Sequence, residues 1–104
     1  MNHFISVMRP GKPGLPQSMT APERDAFREH VAYLREKHRT GHVVFAGPSA
    51  EPGEEHFAVV VLEAECKAHA QAIMDADPAV ATGLFTSHVT EFEVFLAPPA
   101  IPHA

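Results

Sequence analysis

Tryptophan is absent from this sequence and cysteine occurs once among 104 residues. A single cysteine forms neither an internal disulfide nor a cysteine-based zinc cluster. No run reaches the roughly 18 apolar residues that a membrane helix needs. The opening Met-Asn-His-Phe-Ile-Ser-Val-Met-Arg-Pro lacks the basic start and long apolar stretch of a signal peptide. These absences predict a cytoplasmic protein with no membrane partner. Positive charge is also scarce: eight Lys and Arg stand against thirteen Asp and Glu, for a net charge of −5, and no basic cluster occurs. That argues against a nucleic-acid partner. What is present is a hydrophobic fraction of 45%, near the globular norm of about 45–50%. The length is that of one domain, and a chain this size buries about two-thirds of its unfolded surface, enough for a single core. We place that domain at 1–97 and a proline-rich tail at 98–104. Eight histidines are the one compositional excess.

Residues 3–9 are apolar and partly β-branched, stop at Pro10, and read as a strand. Residues 10–19 hold three prolines and two glycines and read as a loop, of a length that often covers a site. Thr20-Ala21-Pro22-Glu23 supplies a helix start, with threonine and glutamate at capping-box spacing and proline in the tolerant first turn. Phe27, Val31, Leu34 and His38 then recur at helical spacing, with His30 beside them, while Arg24, Arg28, Arg35 and Glu36 fall mostly elsewhere. Gly41 is the expected stop, after the basic Lys37, His38 and Arg39. A second strand runs from His42 to Ala46 and ends at Gly47-Pro48. Residues 47–55 are rich in turn formers. Phe57 to Leu62 is an unbroken apolar run, which suits a strand covered on both faces. The alanine-rich stretch 66–76 predicts a second helix, with Cys66 in the capping position and Pro78 as its end. Residues 79–83 form a turn or short helical piece. Thr86 to Leu96 alternates and predicts a long last strand, with Phe92, Val94 and Leu96 on one side.

The order β-α-β-β-α-β predicts an α+β, ferredoxin-like unit: a four-stranded antiparallel sheet with two helices on one face. Such a unit leaves its other sheet face bare. The apolar third strand, with Phe92, Val94 and Leu96, gives that face material to bury. A second copy of the chain is its simplest cover, so we expect a homodimer with sheets packed face to face, with assembly into a higher oligomer left open.

Three stretches carry a family resemblance. They are His30-Val-Ala-Tyr-Leu-Arg-Glu-Lys-His-Arg-Thr-Gly41 followed five residues later by Gly47-Pro48; Asp75-Ala-Asp77-Pro78-Ala-Val-Ala-Thr-Gly83-Leu-Phe; and Arg9-Pro10-Gly11 with Met19-Thr20 before the first helix. Together they resemble the YCII-related (YciI-like) proteins, small dimeric α+β barrels, over nearly the whole chain. The resemblance implies a His–Asp pair in a cleft, matched here by His30 and Asp77, and an enzymatic role. Members include a dehydrochlorinase, and the architecture is similar to that of muconolactone isomerases. The Cys66 cap and the chain beyond Leu96 depart from the family pattern, but neither touches the pair.

The chemistry of such a pair is specific. A histidine on the apolar stripe of a helix needs a partner, since an unpaired buried polar group costs about 1–3 kcal/mol. A carboxylate on one ring nitrogen fixes the tautomer. The other nitrogen is then a general base or acid, worth roughly 10²–10⁴-fold in rate. With no plausible nucleophile in the sequence, the pair suits cofactor-independent proton abstraction next to a carbonyl: isomerisation, tautomerisation or elimination. The same pair also suits a satisfied core interaction, and the same cleft suits a non-catalytic ligand-binding or regulatory module.

Arg9, at the end of the first strand, is a candidate clamp for a substrate carboxylate, or else a solvated rim residue. Gly47 and Pro48 are candidates for close backbone approach to a small-molecule ligand, or else a plain hairpin turn. Phe45, Met8 and Phe85 are candidates for an apolar lining, or else core. The remaining histidines read as surface or chain-end residues, with His56 and His88 at strand starts. No helical histidine pair has metal-binding spacing, so we expect no metal and no cofactor. A histidine-held metal or haem stays open as a third reading. Glu91 and Glu93 share one side of the last strand and read as a solvated face.

Overall fold

A computed structural model describes residues 2–96. The predicted tail at 98–104, with His103, lies outside the described residues. The elements run β1 (Asn2–Pro10), α1 (Ala21–Arg39), β2 (Val43–Pro48), a 3-10 turn at Gly53–Glu55, β3 (Ala58–Ala64), α2 (Lys67–Asp75), α3 (Pro78–Ala81) and β4 (Phe85–Glu91). The four strands form one antiparallel sheet in the order β2-β3-β1-β4. The helices pack on one side of it, which is the ferredoxin-like arrangement. Among the described residues no helix is long and apolar enough to cross a membrane.

The sheet sorts its side chains by strand alternation. Along β1, Phe4, Ser6 and Met8 are buried toward the helices, while Ile5, Val7 and Arg9 face the other way. Register carries the same division into β3, where Leu62, Val60 and Ala58 lie opposite Phe4, Ser6 and Met8. Helix α1 begins where its sequence says it should. Thr20 and Glu23 form a reciprocal capping box, with the Thr20 N–H donating to Glu23 Oε1 at 2.8 Å. Lys12 adds an ion pair to Glu23 at 2.6 Å and ties the loop 10–19 to the helix start. The loop is held at two more points. Leu15 is 1% exposed within the core, and Gln17 Oε1 accepts from the Gly53 N–H at 3.3 Å. Gly11 passes so close to the α3–β4 turn that a Cβ there would stand 2.0 Å from the Gly83 carbonyl oxygen.

Two expectations need correction. The last strand ends at Glu91, so Phe92, Val94 and Leu96 do not form one face of a long strand. Strand β4 pairs with β1 alone, Phe4 lies opposite Glu91, and only two described residues of β1 extend past that point. A last bond, from the Phe92 N–H to the His3 carbonyl, closes the ladder. His88 consequently stands in mid-strand. Pro78 also does more than end a helix: it is the first residue of α3, where proline's missing N–H costs nothing. Cys66 caps α2 by position alone, with no side-chain bond.

Candidate functional site

Helix α1 presents two neighbouring faces. One carries Ala26, His30 and Tyr33 toward α2 and α3; the other carries Phe27, Val31 and Leu34 over the sheet. His30 sits where they meet. Helix α2 closes at Ala76, and the chain turns at once into α3, which packs against α1. Asp77 is the N-cap of α3. Its Oδ1 accepts from the Ala79 N–H at 2.9 Å, which leaves Oδ2 aimed at α1.

There it meets His30. The Nδ1–Oδ2 distance is 2.6 Å, Asp77 is 0% exposed, and His30 is 8% exposed. A carboxylate has only acceptors to offer, so Nδ1 carries the proton and donates it. Nε2 of the neutral ring is left with its lone pair. Among the described residues no buried side-chain nitrogen or oxygen lacks a partner. Nε2 makes no further bond there, so it is the ring atom open to the adjoining space. Phe27 and Phe85 flank the ring, with centroids 5.6 and 6.1 Å away. Tyr33 donates its hydroxyl proton to the Ile73 carbonyl at 2.6 Å. Burial, reinforced by the Asp77 charge, pushes its phenol above the usual range.

The space beside His30 is an open cleft of about 590 Å³ between α1 and the sheet. Its floor is Met8, Ala58, Val60 and Phe85; its sides are Phe27, Val31 and Leu34 from α1 and Ala46, Gly47 and Pro48 from β2; Pro16 reaches it from the 10–19 loop. The lining is mostly apolar. His30, Arg35 and His56 are its polar side chains.

The structure thus brings together His30, Asp77, Gly47 and Pro48. It does not bring Arg9 or Phe45 to the cleft. Because Met8 points to the helices, Arg9 beside it points to the far face, where its guanidinium lies 6.0 Å from the centre of the Phe57 ring. The candidate clamp thus stands outside the lining of this cleft. Phe45 follows a bulge in β2, pairs opposite Val61 and is 54% exposed, outside the cleft. Met8 and Phe85 do line it. Sequence reasoning missed Arg35 and His56, whereas Pro16 belongs to the 10–19 loop expected to cover a site. Arg35 lies four residues after Val31, one turn along the same helix face, and that spacing is the signal that could have found it.

No group of three or more His, Cys, Asp or Glu side chains among the described residues is placed to hold a metal ion. His42 and His69 stack edge to face at 5.3 Å without a third such partner.

The model of the YCII-related domain matches residues 8–93. The chain belongs to the YCII-related family. That match spans both members of the His30–Asp77 pair and every side of the cleft. No curated protein matches significantly. Among solved structures, the chain is similar to the 5-chloro-2-hydroxyhydroquinone dehydrochlorinase of Burkholderia phenoliruptrix AC1100, described in complex with 2,5-dihydroxybenzoquinone. The TM-score is 0.64 at 22% identity, covering 86% of this chain and 93% of that one. At that identity the likeness establishes the fold.

Proposed function

We propose that this YCII-related protein is a small-molecule enzyme that moves protons without a cofactor, with His30 as the base and Asp77 holding it. One observation carries the reading: a histidine whose Nδ1 is tied to a fully buried carboxylate turns its other nitrogen to an open apolar cleft. A pair serving packing alone has no need of an adjoining cavity. Nε2 takes a proton from a carbon next to a carbonyl, and the electron pair moves onto the carbonyl oxygen. Asp77 faces the imidazolium that forms and stabilises it. The enolate is then reprotonated elsewhere by the same ring, giving isomerisation or tautomerisation, or it expels a leaving group, giving elimination. The dehydrochlorination named for the similar solved structure is an elimination of this kind. Phe27 and Phe85 beside the ring, with Ala46, Gly47 and Pro48 opposite, favour a flat, largely apolar substrate.

The test uses two readouts. One is deuterium uptake from solvent at the α-carbon of a panel of substituted cyclohexanones. The other is chloride release from chlorinated hydroquinones. The wild type should accelerate at least one, and His30→Asn should lose about 10²–10⁴-fold of that rate while remaining folded. Unchanged turnover in His30→Asn refutes the reading. Ligand binding with no turnover anywhere in the panel favours a binding module.

The functional unit we propose is a homodimer. Ile5, Val7 and Val59 stay half-buried on the sheet face turned from the helices, around the buried Val61, and Phe95 and Leu96 are exposed at its end. Light scattering should give twice the chain mass, and a monomer at micromolar concentration refutes this.

A further inference from the structure

Among the described residues Arg35 has no partner, while Arg9, Arg24, Arg28 and Arg39 each have one. Arg28 pairs with Asp25 at 2.7 Å, Arg39 with Glu36, Arg24 donates to the Met19 carbonyl, and Arg9 lies over the Phe57 ring. Arg35 takes part in no hydrogen bond, ion pair or ring contact among the described residues. It nevertheless lines the cleft that holds His30, together with Val31, Leu34, Ala46 and Pro48. No carboxylate belongs to that lining. Besides His30 and Arg35, the polar side chain of that lining is His56, whose Nδ1 already lies 3.0 Å from the Glu51 carbonyl oxygen. An acidic chain thus places a free guanidinium, whose planar fork matches a carboxylate or an enolate oxygen pair, on the wall of an apolar cleft.

We propose that Arg35 binds an anionic group of the ligand and that the cleft selects small apolar anions, with a carboxylate as the simplest case. The inference rests on the cleft being the substrate site, as argued above. Arg35 and His30 border the same cleft, so a ligand held by its anionic end at Arg35 lies in the space that His30 adjoins, with Phe27 and Phe85 among its walls. Arg35 fixes which end of the ligand enters first.

The test measures binding, so it does not depend on turnover. Benzoate, 4-hydroxybenzoate and phenylacetate are titrated against their neutral amides by calorimetry and by the amide NMR shifts of Ala46 and Gly47. Wild type should bind at least one acid more tightly than its amide. Arg35→Gln should weaken that acid about tenfold or more, the worth of one charge-assisted bond, and leave the amide unchanged. Arg35→Lys should restore part of the preference, and His30→Asn should keep all of it. Equal binding of acid and amide by the wild type, equal loss of both in Arg35→Gln, or no binding of any acid overturns the inference. If His30→Asn keeps both the acid preference and full turnover, the proton-transfer reading fails and the role of Arg35 stands.

Discussion

Asp77 makes two bonds from a fully buried position, and its replacements separate what each bond does. Asp77→Ala orphans Nδ1 of a His30 that is itself buried, at about 1–3 kcal/mol, and removes the α3 cap, at about 0.5–2 kcal/mol. The expected loss is roughly 2–4 kcal/mol, a large part of the 5–15 kcal/mol typical of a domain. Asp77→Asn is different. Its side-chain oxygen still caps Ala79, and its amide still reaches His30, so the cost falls to about 1 kcal/mol, the difference between a charge-assisted and a neutral bond. The amide must donate to Nδ1, however, so the ring proton moves to Nε2 and the lone pair facing the cleft is lost. Urea unfolding should rank wild type above Asp77→Asn and that above Asp77→Ala. Turnover in Asp77→Asn should fall by about 10²–10⁴-fold despite its near-native stability. An Asp77→Ala variant within 0.5 kcal/mol of wild type would refute the packing argument. An Asp77→Asn variant with full turnover would refute the tautomer argument.

Two further outcomes concern the 10–19 loop and the start of α1. Leu15→Ala should cost about 2–5 kcal/mol in urea unfolding and weaken ligand binding, because Leu15 anchors the segment that brings Pro16 to the cleft; a mild effect on both would show that the loop is held elsewhere. The hydrogen bond from Lys12, aided by the bonds with Thr20, holds the Glu23 carboxyl below its ordinary 4.5. A lowered carboxylate stabilises the fold above its unfolded value, and that contribution disappears as pH falls through the lower folded value. Glu23→Gln should therefore be less stable than wild type at neutral pH and converge with it below pH 4.5; a gap that persists in acid would mean that the charge is not its source.

The element order was legible because its punctuation is local. The Thr20–Glu23 box, Gly41 after the helix, Gly47-Pro48 at the end of β2 and the apolar run of β3 each act within a few residues. The end of β4 was not legible. Alternation continues to Leu96, yet a strand needs a partner, and where β1 runs out is a tertiary fact. The contact between His30 and Asp77 depended on α3 packing against α1; the sequence read Asp77-Pro78 as a helix end, and the family resemblance implied the pair without that packing. Arg9 adjoins the loop in sequence, but strand parity turns it to the face opposite Met8. Arg35 was passed over because an arginine at the edge of an apolar stripe looks like solvent-facing charge until the cleft beside it is seen.

On the proposed reading, Asp77 fixes the His30 proton on Nδ1 and leaves Nε2 as the base that faces the cleft. Long-range nitrogen–proton correlation NMR of the imidazole, in mildly alkaline solution, reads this without any substrate. The neutral His30 ring should be protonated on Nδ1 in the wild type, and on Nε2 in Asp77→Asn. A wild-type ring protonated on Nε2 would contradict that reading.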